Sequence, residues 1–75
     1  MRFKAALFYQ NSIAFYSVYL LEGNSYKAKL DEYAGQIQPP DLINIQKNGL
    51  AWNSDCEDNE IVTELSAAID FKKFD

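Results

Sequence analysis

The sequence contains no histidine and a single cysteine, Cys56. Without histidine, a zinc site lacks its usual nitrogen ligand, and acid–base or nucleophilic catalysis lacks its commonest proton acceptor. One cysteine cannot form an internal disulfide, which is the usual support of small secreted folds. We therefore expect a protein that is not an enzyme, that holds no cofactor and no metal, and that resides in a reducing, cytoplasmic setting. A buried or half-buried structural role is favoured for Cys56 over a reactive thiol.

Long apolar runs are also missing from these 75 residues. No stretch approaches the length that crosses a membrane, and the apolar residues of the first ten positions are too interrupted for a signal peptide. A chain this short has room for one core, which yields about 3 to 5 kcal/mol unless a metal, a disulfide or a partner subunit adds to it. The sequence predicts one domain over residues 1–75, no membrane partner, and self-association as a source of stability.

Positive charge is scarce, since 7 basic residues stand against 11 acidic ones and the net charge is −4. A negative chain is repelled by phosphate backbones and by anionic membranes, which disfavours nucleic acid as a partner without excluding a local basic patch. The segment from Asp55 to Asp70 holds six acids and no base. Helix capping and solubility explain this acidic segment best. The alternative is an acidic inhibitor or decoy that presents the helix to a basic protein.

Aromatic and β-branched residues are plentiful and occur in runs that favour strands. Asn48 and Gly49 separate two of these runs and predict a two-residue type I′ hairpin turn, because both positions tolerate positive φ. Pro39 and Pro40 end an extended loop that follows the third run. Five strands of one antiparallel meander sheet are predicted, at residues 2–9, 13–22, 26–33, 42–47 and 50–53.

The sequence predicts a helix from about residue 56 to residue 70. Ser54, followed three residues later by Glu57, matches a capping box, and Asp55 is an alternative cap. Apolar residues then recur at helical spacing, at Ile61, Val62, Leu65, Ala68 and Ile69. The predicted fold is therefore α+β, with one C-terminal helix packed on one face of the sheet.

The turns predict which residues face the helix, because a slip of one residue exchanges the two faces of a strand. We expect a two-residue turn of Gly23 and Asn24. We also expect a three-residue loop over residues 10–12, because a two-residue loop would set Arg2 and Lys4 on the core side. The predicted inner residues are Phe3, Leu7, Tyr9, Ile13, Phe15, Ser17, Tyr19, Leu21, Tyr26, Ala28, Leu30, Ile43, Ile45, Leu50 and Trp52.

The opposite face of the first two strands is then also apolar, although one helix can cover only one face. This register places there Ala6, Phe8, Ala14, Tyr16, Val18 and Leu20, with lysines around them. A contiguous apolar patch of this kind commonly marks an interface. The interface candidates are Lys4, Phe8, Tyr16, Val18, Leu20, Lys27 and Lys29. Alternatively, the sheet coils into a partly closed barrel, or the loop at 34–41 covers these residues.

Three functions follow from these patterns. The leading hypothesis is a small protein-interaction module that forms a homodimer or binds another protein through the outer face of strands 1 and 2. The second is a single-stranded nucleic-acid-binding domain, in which Phe8 and Tyr16 stack on bases and the lysines contact phosphates. The third is the acidic inhibitor or decoy.

Overall fold

The computed structural model of the protein describes residues 2–73. In that range five strands precede one helix, and each strand pairs antiparallel with the next in sequence, so the sheet is open with the order β1-β2-β3-β4-β5. The elements are β1 (Arg2–Tyr9), β2 (Ser12–Leu20), β3 (Ser25–Tyr33), β4 (Leu42–Asn48), β5 (Ala51–Ser54) and α1 (Asn59–Lys73). The predicted α+β fold is confirmed, and the alternative of a partly closed barrel is wrong because the sheet is open. In residues 2–73 no helix has the length and apolar character needed to cross a bilayer.

The core lies between one face of the sheet and α1. The helix buries Ile61, Leu65 and Ile69, as its apolar spacing predicts. The sheet contributes Ala5, Leu7, Tyr9, Ala14, Tyr16, Val18, Tyr26, Ala28, Ile43 and Ile45. Because Glu64 contacts the end of β1 and Asp70 contacts the end of β4, the helix crosses the sheet diagonally.

The first hairpin has a two-residue turn, so the predicted three-residue loop is wrong. Gln10 and Asn11 have φ values of 48° and 62°, which is the left-handed conformation that a type I′ turn needs at both positions. Tyr9 therefore pairs with Ser12, and Leu7 pairs with Ala14. The inner residues of β1 are those predicted, and it is β2 that presents its opposite side to the core.

The connection from β2 to β3 explains how β2 is reversed. It takes four residues, 21–24, and is closed by Leu21 N–H donating to the Ser25 carbonyl at 2.9 Å. Val18, and not Tyr19, then lies opposite Ala28. The sequence misleads here because β2 is apolar on both sides, so its hydrophobic pattern does not fix the register.

The last hairpin turns at Gly49 and Leu50, one position later than predicted. Gly49 has φ 63° and Leu50 does not share the positive φ, a combination typical of a type II′ turn. Leu50 is 97% exposed in this turn, so its predicted place in the core is wrong. Trp52 does lie on the inner side, as expected, and its ring centroid is 5.9 Å from that of Tyr26.

The helix begins three residues later than predicted, and neither Ser54 nor Asp55 is its cap. Asp58 caps it, because its Oδ1 accepts from the backbone N–H groups of Glu60 at 3.0 Å and Ile61 at 3.4 Å. Asp55 instead binds the backbone N–H and the side-chain amide of Asn44, both at 3.0 Å. These bonds fasten the end of β5 to β4.

The loop between β3 and β4 covers part of the inner side of the sheet. Pro39 is buried, and the Pro40 carbonyl accepts a hydrogen bond from the Tyr16 hydroxyl at 2.7 Å. Leu30 N–H donates to the Asp41 carbonyl at 2.8 Å. The loop therefore completes the core and does not cover the outer face.

Candidate functional site

The sheet face that points away from α1, here called the outer face, is the candidate site. Its residues alternate with core residues along each strand, since successive side chains of a strand point to opposite sides. On the first three strands it consists of Arg2, Lys4, Ala6, Phe8, Ile13, Phe15, Ser17, Tyr19, Lys27, Lys29, Asp31 and Glu32.

The end of the outer face near the turn at residues 10–11 is apolar, and we call it the apolar half. Ala6 pairs with Phe15 and Phe8 pairs with Ile13, so the four side chains adjoin across β1 and β2. Phe8 is 58% exposed, Ile13 45% and Phe15 42%. Three large apolar side chains thus remain accessible to solvent side by side, which is unlike the scattered apolar residues of an ordinary surface.

The other end of the outer face, the basic half, gathers Arg2, Lys4, Lys27 and Lys29. These are four of the seven basic residues of the chain. The register explains the cluster, because Tyr19 pairs with Arg2 on one side and Lys27 on the other, while Ser17 lies between Lys4 and Lys29. An acidic protein therefore carries a positive patch on one face of its sheet.

Asp31 lies in a β-bulge and links the strands of the basic half. The β2–β3 register shifts between Phe15 and Tyr16, which leaves Asp31 as the extra residue of β3. Its carboxylate accepts hydrogen bonds from Ser17 Oγ at 2.5 Å and from Lys4 Nζ at 2.8 Å. Hydrogen bonds from Lys4 and Ser17 lower the pKa of Asp31. The carboxylate thus stays charged and links β1, β2 and β3.

Acidic side chains border the apolar half. Glu32 pairs with Phe15 and is exposed. Phe8 borders a shallow cavity that it shares with the first turns of α1, including Glu60 and Glu64. Glu64 also accepts a hydrogen bond from Phe8 N–H at 2.9 Å, so the helix covers this backbone group at the free edge of β1.

The structure supports some predicted placements of the interface candidates and overturns others. Lys4, Phe8, Lys27 and Lys29 lie on the outer face, as predicted. The predicted outer placement of Tyr16 and Val18 is wrong, because both are fully buried in the core. Leu20 also belongs to the inner side, opposite Tyr26, although the end of the strand leaves it 37% exposed.

Sequence reasoning missed Ile13, Phe15, Ser17 and Tyr19, which lie on the outer face because β2 is reversed. Arg2 was left out of the candidates although its side of β1 was predicted correctly. Asn11 was the available signal, because asparagine readily adopts the positive φ of a two-residue hairpin turn.

The remaining candidate groups are occupied by contacts within the chain. Cys56 is half-buried with its Sγ 4.0 Å from the Asp58 carbonyl. Among the acids of the helix region, Asp58 caps α1, Glu64 binds β1, and Asp70 pairs with Lys47 at 3.0 Å. In residues 2–73 no three side chains are grouped as metal ligands.

Comparison with family models, with curated proteins and with solved structures gives no match. The function is therefore argued from the outer face itself.

Proposed function

We propose that this protein is a small, non-enzymatic protein-interaction module that binds its partner through the outer face. The contiguous exposure of Phe8, Ile13 and Phe15 carries the proposal. Covering such a patch releases about 25 cal/mol for each Å² of apolar surface that leaves water. Because Cys56 has no second cysteine with which to form a disulfide, we also propose that the protein resides in a reducing, cytoplasmic setting.

The composition of the outer face fits a protein partner better than a small ligand. Interfaces commonly combine an apolar, aromatic-rich centre with a polar and charged rim. Here the apolar half adjoins lysines on one side and Glu32 on the other. Small-molecule sites are instead concave and enclose most of their ligand.

A photo-crosslinking amino acid placed on the outer face tests the proposal. We would introduce p-benzoylphenylalanine at Ile13 and, as a matched exposed control, at Leu50, and irradiate the cells that produce the protein. We expect a covalent adduct from position 13 that disappears when Phe15→Glu is added, because the charge prevents burial of the patch.

Two results would contradict the proposal: the absence of any adduct from position 13, or equal adducts from positions 13 and 50. The mass of the adduct distinguishes a second copy, which adds 8.6 kDa, from a different protein.

The basic half supports a second candidate, single-stranded nucleic acid. Tyr19 lies between Arg2 and Lys27, an arrangement in which a base can stack on the ring while the cations bind phosphates. We rank it second because Phe8 and Phe15, the other aromatic residues of the face, lie beside Glu60, Glu64 and Glu32.

Fluorescence anisotropy with labelled oligothymidylate tests this second candidate. Contacts with three phosphates predict a slope of about −2 for the logarithm of affinity against the logarithm of salt concentration. Lys27→Glu should abolish binding, whereas Lys72→Glu on the helix should not. An unchanged anisotropy at low salt rules the candidate out.

A further inference from the structure

We propose that the partner of the outer face is a second copy of this chain, stacked face to face about a two-fold axis that runs across the strands. This inference rests on the proposed function and adds the identity and the orientation of the partner. The opposite charges of Glu32 and Lys29 support it, and the area that a stable dimer needs requires both halves of the face.

Two-fold axes in the plane of the sheet can run along the strands or across them. Paired residues form rows that run across β1, β2 and β3, and an axis along β2 would turn each row onto the same row of the second copy. Lys4 would then lie over Lys29 of the second copy, and Arg2 over Lys27 of the second copy. Like charges in close juxtaposition across an interface cost several kcal/mol. Electrostatics therefore disfavour this orientation.

An axis across the strands gives a complementary arrangement. If it passes over β2 between the rows of Phe15 and Ser17, each apolar half lies against the basic half of the other copy. The aliphatic stems of lysine and arginine cover apolar surface well, and arginine stacks on aromatic rings. Glu32 of one copy then faces Lys29 of the other, because β3 lies against β3 of the second copy.

The interface area also requires both halves. The apolar half offers on the order of 300 Å², whereas a stable interface buries roughly 800 Å² from each partner. The apolar halves alone are too small to hold a dimer. Overlap of the complete outer faces of β1, β2 and β3 adds the stems of four cations and Tyr19 to the buried surface.

The edges of the sheet are less suited to pairing than its face. In the edge strand β1, the Phe8 N–H already donates a hydrogen bond to Glu64. The same strand also carries Arg2 and Lys4. Charged side chains and helical cover are features that protect sheet edges from pairing. At the other edge β5 has only four residues.

Mixing two charge-reversal variants tests this orientation in the purified protein. In a homodimer of Lys29→Glu, two acids face each other at each contact, and in a homodimer of Glu32→Lys two bases do. We expect each variant alone to dimerise about tenfold more weakly than the wild-type chain, as judged by sedimentation equilibrium. An equimolar mixture should recover dimerisation, because every contact then joins opposite charges.

The control pair is Lys72→Glu and Glu57→Lys, which lie in the helix region and should dimerise like the wild-type chain alone and mixed. A dimer in which mixing the position-29 and position-32 variants recovers nothing overturns the orientation and leaves the interaction surface in place. A wild-type chain that remains monomeric overturns the inference. The proposed function then survives only if the crosslink from Ile13 joins a different protein.

Discussion

Tyr16 is the largest of the fully buried side chains in the described part of the chain, and its hydroxyl donates to the Pro40 carbonyl at 2.7 Å. Tyr16→Phe keeps the ring and leaves that carbonyl without its donor. We expect the free energy of unfolding to fall by about 1 to 2 kcal/mol. Urea denaturation measures it, and Tyr19→Phe on the outer face is the control, for which we expect a change within about 0.5 kcal/mol.

Because the Tyr16 hydroxyl is buried, we expect the free energy of unfolding to depend on pH in the alkaline range. Burial raises the pKa of Tyr16, and it also raises the pKa of Tyr9. The unfolded chain therefore releases these protons at a lower pH than the folded chain, so stability is complete below about pH 10 and declines above it. Denaturation midpoints measured across this range should fall less steeply in Tyr16→Phe. Equally steep declines in the wild-type chain and in Tyr16→Phe would show that Tyr16 does not cause the pH dependence.

The cap of α1 shows how an assignment made from one pattern can miss a neighbouring residue. Asp58→Ala removes the acceptor for the Glu60 and Ile61 amides, so we expect a loss of about 1 kcal/mol in the free energy of unfolding. Glu57→Ala, exposed just before the helix, should change stability little. Equal losses from the two substitutions, measured by thermal denaturation, would show that Asp58 is not the cap.

The strands and the helix could be predicted because their patterns are local. The alternation in β3 and the helical spacing from Ile61 to Ile69 each define one apolar side. β2 has no such asymmetry, since Phe15 and Tyr19 on one side are as apolar as Tyr16 and Val18 on the other. Its orientation depends on two turns, and each was misjudged in length.

The candidate site was partly predictable for the same reason. Lys27 and Lys29 belong to a strand with a clear pattern, and the structure has them on the outer face. Phe15 and Ile13 were not assigned, because β2 is apolar on both sides and Asn11, the local signal of a two-residue turn, was included in a three-residue loop. The first hairpin does expose an apolar surface, as expected, but Ile13 and Phe15 form the β2 part of it in place of Tyr16 and Val18.

The fold separates charge between its two sides. Four cations lie on the outer face beside two acids, Asp31 and Glu32, while further acids lie near the start of α1. This separation lets a chain of net charge −4 present a positive surface. It also makes the association of the outer face sensitive to salt at its charged contacts, since exposed ion pairs are screened over about 10 Å at 0.1 M ionic strength.

Sedimentation equilibrium of the wild-type chain beside Phe15→Glu tests the role of the outer face most directly. We predict a wild-type mass that rises above 8.6 kDa with concentration, and a variant that stays at that mass with an unchanged circular dichroism spectrum. Loss of association without loss of folding shows that the apolar half is part of the interface. Equal masses for the two proteins at every concentration would contradict self-association through the outer face.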